Sequence, residues 1–168
     1  KCSRDWPGQS GHIHVSLKSQ SGDSVFYEAG KPHSMSDAMR WFVGGQQKLM
    51  PELLAMVAPT INSYRRLIPG FWAPTDATWG VENRTTALRV IPGSPKSQRV
   101  EYRVAAADAN PYVILSAALA SGLWGIENKV EPESLVTGNA YDRKYPARLA
   151  LQAAQAGLEF CQDILYSV

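Results

Sequence analysis

Residues 11–17 of the chain read GHIHVSL, so two histidines and a serine occupy alternate positions. In a β-strand, alternate side chains share a face, so His12, His14 and Ser16 would line one side and branched apolar residues the other. Imidazole groups ligate divalent metals and hydrogen-bond nucleotides. The pattern is typical of a pocket wall, and equally of an exposed strand face with ordinary polar residues.

Arginine is concentrated in one part of the sequence. Six of the ten arginines fall in a window that holds only three carboxylates: Arg65, Arg66, Arg84, Arg89, Arg99 and Arg103, with Asp76, Glu82 and Glu101. A guanidinium group matches carboxylate and phosphate oxygens two at a time. The surplus of positive charge favours an anionic ligand, with a solvated basic surface as the alternative.

Residues 99–103, RVEYR, alternate charged with uncharged side chains. Period two puts Arg99, Glu101 and Arg103 on one face of a strand. A carboxylate between two cations stays ionised. Glu101 is therefore a candidate metal ligand beside arginines that hold an anionic substrate, and a cross-strand ladder of salt bridges is the alternative.

The elements that must position these groups are predicted from apolar periodicity and turn residues. Strands are expected at 11–17, 25–27, 86–91 and 99–104. Helices are expected after Ser34 or Ser36, from Pro51, from Asn110 and from Pro146, with an ordered loop at 59–79. Long helices and short strands without βαβ regularity indicate an α+β fold.

Two of the predicted helices carry many apolar residues, so we considered where their apolar side chains would lie. The uncharged run at 110–126 is too short and too rich in small residues to span a bilayer, and we interpret it as a buried helix. The last helix carries Leu151, Leu158 and Leu165 at heptad spacing. Neither segment predicts a membrane protein.

Composition sets the broad class. The 168 residues are 45% hydrophobic and 19% charged, as in one soluble globular domain, and a net charge of +2 gives no electrostatic reason to expect nucleic acid or a membrane surface. Cys2 and Cys161 lack metal-site spacing, which favours reduced thiols in the cytoplasm. The chain opens with KCSR and no signal-peptide pattern, so we expect it to be part of a longer protein.

Five sequence blocks, taken in order, resemble the glutamine synthetase family. They are GQSGHIHVSL at 8–17, NSYRRLIPG at 62–70, an Asn-Arg pair followed by Arg at 83–89, PK through RVEYR at 95–103, and ANPY at 109–112. The resemblance runs from residue 8 to about residue 129. It implies that residues 1–168 are part of that family's α+β catalytic domain, an incomplete, largely antiparallel sheet with packed helices. The family's N-terminal domain and first catalytic strands would precede residue 1.

The resemblance also implies the role of each matched residue. His12 and Glu101 match metal ligands for Mg or Mn. The matched ATP-binding positions are His14, Ser16, Arg84, Arg89, Lys96 and Arg99. The matched glutamate-binding positions are Gly8, Arg66, Arg84 and Arg103. The implied reaction has two steps, in which ATP phosphorylates the γ-carboxylate of glutamate and an amine then displaces the phosphate.

Three positions depart from the family pattern. Pro7 stands where the family has Asn, and Asp108 is displaced from its place after Arg103. The loop motif Gly-x-Glu-Ala-Pro appears as GFWAP at 70–74, with Trp72 in place of the Glu that handles ammonium. An indole accepts no proton but can stack on an alkyl or cationic chain.

The departure at Trp72 decides which nucleophile we expect. We take Arg84, Arg89 and Trp72 as the catalytic positions and expect the nucleophile to be an organic amine. An ordinary ammonia-using glutamine synthetase and a non-catalytic member of the family are the alternatives. The family's other metal-binding glutamates would precede residue 1, so we expect this chain to be inactive by itself. We also expect this chain to self-associate, because it would expose apolar surfaces that the rest of the protein covers. For the complete protein the resemblance implies a homo-oligomeric ring.

Overall fold

Short segments with period-two patterning form a four-stranded sheet, and longer apolar segments form the helices. The computed structural model describes residues 5–68 and 70–142. The strands are β1 (Ile13–Val15), β2 (Trp79–Val81), β3 (Leu88–Ile91) and β4 (Arg99–Tyr102). The helices are α1 (Asp37–Leu49), α2 (Leu54–Val57), α3 (Ile61–Tyr64) and α4 (Pro111–Glu127), with 3-10 turns at Pro32–Ser34 and Ala140–Asp142. The predicted α+β class is confirmed.

The strand order in the sheet is β1-β4-β3-β2. β4 pairs antiparallel with both β1 and β3, whereas β2 runs parallel to β3. Directly paired residues point to the same side of a sheet, which gives this sheet an apolar face that contributes to the core. That face consists of Ile13, Val15, Leu88, Val90, Val100 and Tyr102. The residues between them, His14, Arg89 and Glu101, share the opposite face.

Helices α1 and α4 pack against each other in the core. The Ser36 hydroxyl caps α1 by accepting from the Met39 amide at 3.1 Å, and the Asn110 side chain caps α4 by accepting from the Tyr112 amide at 3.0 Å. The two helices approach so closely that a methyl group added at Gly45 would lie 2.3 Å from the Ser121 carbonyl oxygen. Both predicted caps and the predicted helix starts at 37 and 111 are confirmed.

Several predicted boundaries were wrong. The strand expected at 11–17 is regular only over β1, and within 25–27 only Tyr27 forms an isolated bridge, to Met35. The helix expected from Pro51 begins at Leu54. The expected loop at 59–79 contains the single turn of α3, which the Thr60 and Ser63 side chains cap reciprocally.

Helix α4 is only half buried, although its segment was interpreted as a buried helix. Its small residues face α1, and its large apolar residues form an exposed stripe of Tyr112, Leu115, Leu119 and Leu123. None of the helices in the described ranges is both long and apolar enough to cross a membrane. The helix expected from Pro146 and both cysteines lie outside the described residues.

Candidate active site

Glu101 lies at the centre of a cluster of charged side chains on the polar face of the sheet. Its side chain is buried, and its Oε1 accepts from Arg103 Nη1 at 2.8 Å while its Oε2 accepts from Arg89 Nη1 at 3.1 Å. The pairing of Arg89 with Glu101 follows from the strand register, which sets these two residues opposite each other. The predicted juxtaposition of Glu101 and Arg103 on one face is confirmed.

The ionisation of Glu101 follows from its neighbours. Burial by itself would raise the pKa of this carboxyl group, but the charge of Arg103, the hydrogen bond from Arg89 and the nearby His12 together hold the pKa below its ordinary value. Arg103 also carries a buried Nε that has no hydrogen-bond partner among the described residues. The site therefore contains a fixed carboxylate and an unused cationic donor.

His12 approaches the same carboxylate from the end of β1. Its Nδ1 lies 2.9 Å from Glu101 Oε1, and its Nε2 lies 2.8 Å from the Ser10 hydroxyl oxygen. Burial and the charge of Arg103 lower the pKa of His12, which favours the neutral imidazole. In the tautomer with hydrogen on Nε2, that nitrogen donates to the Ser10 oxygen and Nδ1 keeps a lone pair beside Glu101 that a shared cation could use.

His12 and Glu101 fit two positions in the coordination shell of a divalent cation. A neutral imidazole and an ionised carboxylate are the forms that bind metals. His12 Nδ1 and Glu101 Oε1 lie 2.9 Å apart, close enough to contact one cation. The described residues contain no group of three or more His, Cys, Asp or Glu side chains that could hold a metal ion. The described part of the chain therefore supplies two candidate ligands rather than a complete site.

Among the predicted ATP-binding residues, two are in contact. Arg99 Nε donates to His14 Nδ1 at 3.3 Å, and Arg99 Nη1 donates to the Ser97 carbonyl oxygen at 2.9 Å. Ser16 and Lys96 are exposed, the first directly after β1 and the second in the turn before β4. These four residues therefore lie at one end of the β1–β4 pair.

Two of the predicted glutamate-binding residues line a separate cavity of about 420 Å³, next to Asn62 and Asp108. Gly8 packs on Arg66 so closely that an added methyl group would lie 2.7 Å from the Arg66 Cγ. Arg66 is buried and donates to the carbonyl oxygens of residues 104 and 105, while its Nε has no partner among the described residues. Burial lowers the pKa of Arg66 to about 10, so the guanidinium remains charged at neutral pH.

Trp72 and Arg84 line a different cavity, of about 600 Å³. The Trp72 side chain is 66% exposed, and its backbone adopts a left-handed φ of 60° that a bulky residue rarely takes. Arg84 is exposed in the turn after β2. Arg84 lines this cavity, whereas Gly8 and Arg66 line the other, and the expected joint role of Arg84 toward phosphate and glutamate stays a prediction.

Glu82 connects this cavity to the Glu101 cluster, and sequence reasoning missed it. The Glu82 carboxylate lines the Trp72 cavity and forms an ion pair with Arg89, which also donates to Glu101. In the sequence Glu82 was counted only as one of three acids among many arginines. Its position directly before the Asn83-Arg84 pair was the available signal, but the strand that ends there was not predicted.

The chain belongs to the glutamine synthetase family, because residues 1–163 match the family model of the glutamine synthetase catalytic domain. The predicted resemblance is thus confirmed. Type-1 glutamine synthetase 2 of Dictyostelium discoideum is 48% identical over 141 residues, which cover 83% of this chain and 27% of that protein.

Two further relatives are named for organic amines. Glutamate–isopropylamine ligase of a Pseudomonas species is 42% identical over 141 residues, which cover 84% of this chain and 31% of that protein. Gamma-glutamylputrescine synthetase PuuA of Escherichia coli is 41% identical over 137 residues, which cover 82% of this chain and 29% of that protein. The matched region thus spans less than a third of the length of each of these three relatives.

Proposed function

We propose that the complete protein carrying this chain is an ATP-dependent ligase that joins an amine to the γ-carboxylate of glutamate. The observation that carries the proposal is the buried Glu101 carboxylate, which contacts His12, Arg89 and Arg103. A family member without catalytic activity has no physical need to bury this charged cluster, because burying charges costs free energy. Relatives named as synthetases and ligases support the same conclusion.

The arginines of this chain would hold the charge that develops in the reaction. In the first step the γ-phosphoryl group of ATP passes to the glutamate γ-carboxylate, and in the second the amine nitrogen displaces phosphate from the acyl phosphate. Arg84 and Arg89 bear on the transferring phosphoryl group, where positioned cationic donors stabilise negative charge. His14, Ser16, Lys96 and Arg99 bind the rest of ATP.

The remaining matched residues would bind glutamate and the divalent cation. Gly8, Arg66 and Arg103 form the glutamate pocket, and the unpartnered Nε atoms of the two arginines suit its carboxylate oxygens. His12 and Glu101 would hold Mg²⁺ or Mn²⁺, which offsets negative charge on phosphate oxygens when bound.

We favour an organic amine over ammonia as the nucleophile. Trp72 stands where the resemblance places the Glu that handles ammonium, and its indole accepts no proton. An exposed indole at the edge of a cavity instead offers an apolar face to an alkyl chain. Relatives with amine-specific names are compatible with this form, and the several relatives named as glutamine synthetases keep ammonia as the second candidate.

The proposal also covers the location, assembly and cofactors of the complete protein. The complete protein acts in the cytoplasm as a homo-oligomer, with ATP and Mg or Mn as cofactors. The 168-residue chain by itself forms no γ-glutamyl product, because two metal ligands are too few to hold the ATP phosphates.

Amine specificity provides the test. We expect the complete protein to show a higher kcat/KM with putrescine, ethylamine or isopropylamine than with ammonium, and Trp72→Glu to shift the ratio toward ammonium. The measurement is kcat/KM for each amine in the wild type and in the variant. If the wild type prefers ammonium by tenfold or more, which corresponds to about 1.4 kcal/mol in transition-state binding, the organic-amine form is wrong. Ordinary glutamine synthesis would then take its place.

A further inference from the structure

The cavity beside Trp72 contains the Glu82 carboxylate, which has no role in the proposed reaction so far. Glu82 lines it together with apolar side chains of Val81, Leu135 and Val136. The cavity has a volume of about 600 Å³ and is also lined by polar side chains of His33, Asn83, Arg84 and Thr137. A concave site that combines apolar walls with a few polar groups is typical of small-molecule binding. Its chemistry suits a ligand with a hydrocarbon body and one polar end.

The Glu82 carboxylate has one oxygen in use and one available. Both hydrogen bonds from Arg89, from Nε at 3.1 Å and from Nη2, go to Glu82 Oε2. No hydrogen bond to Oε1 is found among the described residues, and the side chain is 49% exposed. Oε1 can therefore accept a hydrogen bond from a ligand without releasing Arg89.

The walls of this cavity are fixed by the protein's own hydrogen bonds. The Glu82 amide donates to the Val90 carbonyl oxygen at 2.9 Å and holds the turn in its left-handed φ of 51°. Asn83 Nδ2 donates to the Gly138 carbonyl oxygen at 2.8 Å and ties the turn to the opposite wall. On a third side, the carbonyl oxygen of His33 accepts from the buried Gln98 side chain at 3.1 Å. The carboxylate is thus positioned before any ligand binds.

The charges around the cavity decide which ligand end lies at Glu82. Arg84 lines the same cavity and would repel a cation that had no counter-charge, and His33 adds no negative charge. Glu82 is the acidic side chain among the residues that line the cavity. A cationic ligand therefore places its charge at Glu82 rather than at Arg84.

We propose that Glu82 binds the ammonium group of the amine substrate and that its Oε1 accepts the proton that the nitrogen loses as it attacks the acyl phosphate. The hydrocarbon body of the amine lies against Trp72 and Leu135. This inference rests on the proposed ligase function and names the residue that recognises the charge of the amine. The ligand class is a primary alkylammonium ion.

The test compares a charged with an uncharged nucleophile. Ethylamine is a cation at neutral pH, whereas hydroxylamine is uncharged there. We expect Glu82→Gln in the complete protein to lower the ratio of kcat/KM for ethylamine to that for hydroxylamine by about 10- to 100-fold, as for the loss of a charged hydrogen bond. Glu82→Asp keeps the charge and should retain more of this ratio. Glu127→Gln removes an exposed carboxylate from α4 and should leave the ratio unchanged.

The outcomes separate the inference from the function on which it rests. If Glu82 serves only to orient Arg89, Glu82→Gln lowers kcat/KM for both nucleophiles in proportion, and the unchanged ratio overturns the inference alone. A wild-type protein that forms no γ-glutamyl product with either nucleophile overturns the proposed function and the inference with it. Thermal unfolding of both Glu82 variants verifies that they are folded.

Discussion

Glu101 illustrates how one buried side chain can be both structural and functional. Water is removed from its carboxylate, which by itself would favour the protonated form. Two guanidinium groups and an imidazole replace the water, so the carboxylate stays ionised and its two oxygens point in fixed directions. Such a group can bind a cation with little reorganisation, because its orientation is set in advance.

The same arrangement makes Glu101 costly to replace. Glu101→Gln leaves Arg89 and Arg103 without the charge between them, and we expect the free energy of unfolding to fall by about 3 kcal/mol. That is the low end for removing one partner of a buried ion pair, because the Gln amide oxygen still accepts a hydrogen bond. Urea denaturation of the variant and the wild type measures the change.

An exposed acid provides the matched control for this prediction. Asp37 pairs with Lys31 and Arg40 at the surface, and Asp37→Asn should change the stability far less than Glu101→Gln. Equal effects of the two substitutions would show that Glu101 is not a buried charge balanced by its neighbours.

At the scale of elements, the sequence predicted the polar face of the sheet but not its full extent. Period-two alternation placed His12 with His14 on one face of the first strand and Glu101 with Arg103 on one face of another, because side-chain direction in a strand depends only on local geometry. β2 was missed because it pairs in parallel with β3 across only residues 82–87. A parallel pair usually needs a longer crossover, so no local pattern indicated it.

The exposure of α4 was misjudged for a different reason. Its segment is apolar all round, and uniform hydropathy predicts burial on every side. Its small residues are the ones that face α1, since only they allow the two backbones to approach closely. Ile114 is buried with them, whereas Tyr112, Leu115, Leu119 and Leu123 are left exposed, and sequence alone could not show which face would meet α1.

This close approach gives a prediction for the helix pair. In Gly45→Ala the new methyl group meets the backbone of α4, which cannot rotate away as a side chain would. Overpacking costs about 3 kcal/mol, and the better helix propensity of Ala returns about 1 kcal/mol, so we expect a net loss of about 2 kcal/mol. Chemical denaturation measures it, with the exposed position Ser116→Ala as the control. A Gly45→Ala variant as stable as the wild type would contradict the packing described here.

At the scale of the molecule, the candidate site is a connected line of charges. Glu82, Arg89, Glu101 and Arg103 alternate in sign from the Trp72 cavity to the His12 side of the sheet. The part of this line within β4 could be predicted from sequence, because Glu101 and Arg103 lie two residues apart. The part that crosses strands depends on register, which the sequence pattern did not specify.

This line of charges joins the Trp72 cavity to Arg89 and Glu101, and in the proposed function the cavity holds the amine while Arg89 bears on the phosphoryl group. The central claim is therefore tested by the products that the complete protein forms from glutamate, ATP, Mg²⁺ and ethylamine. We predict γ-glutamylethylamide together with ADP and inorganic phosphate in equal amounts, measured by mass spectrometry and phosphate release. Formation of AMP and pyrophosphate, or ATP hydrolysis without any γ-glutamyl amide, would contradict the account.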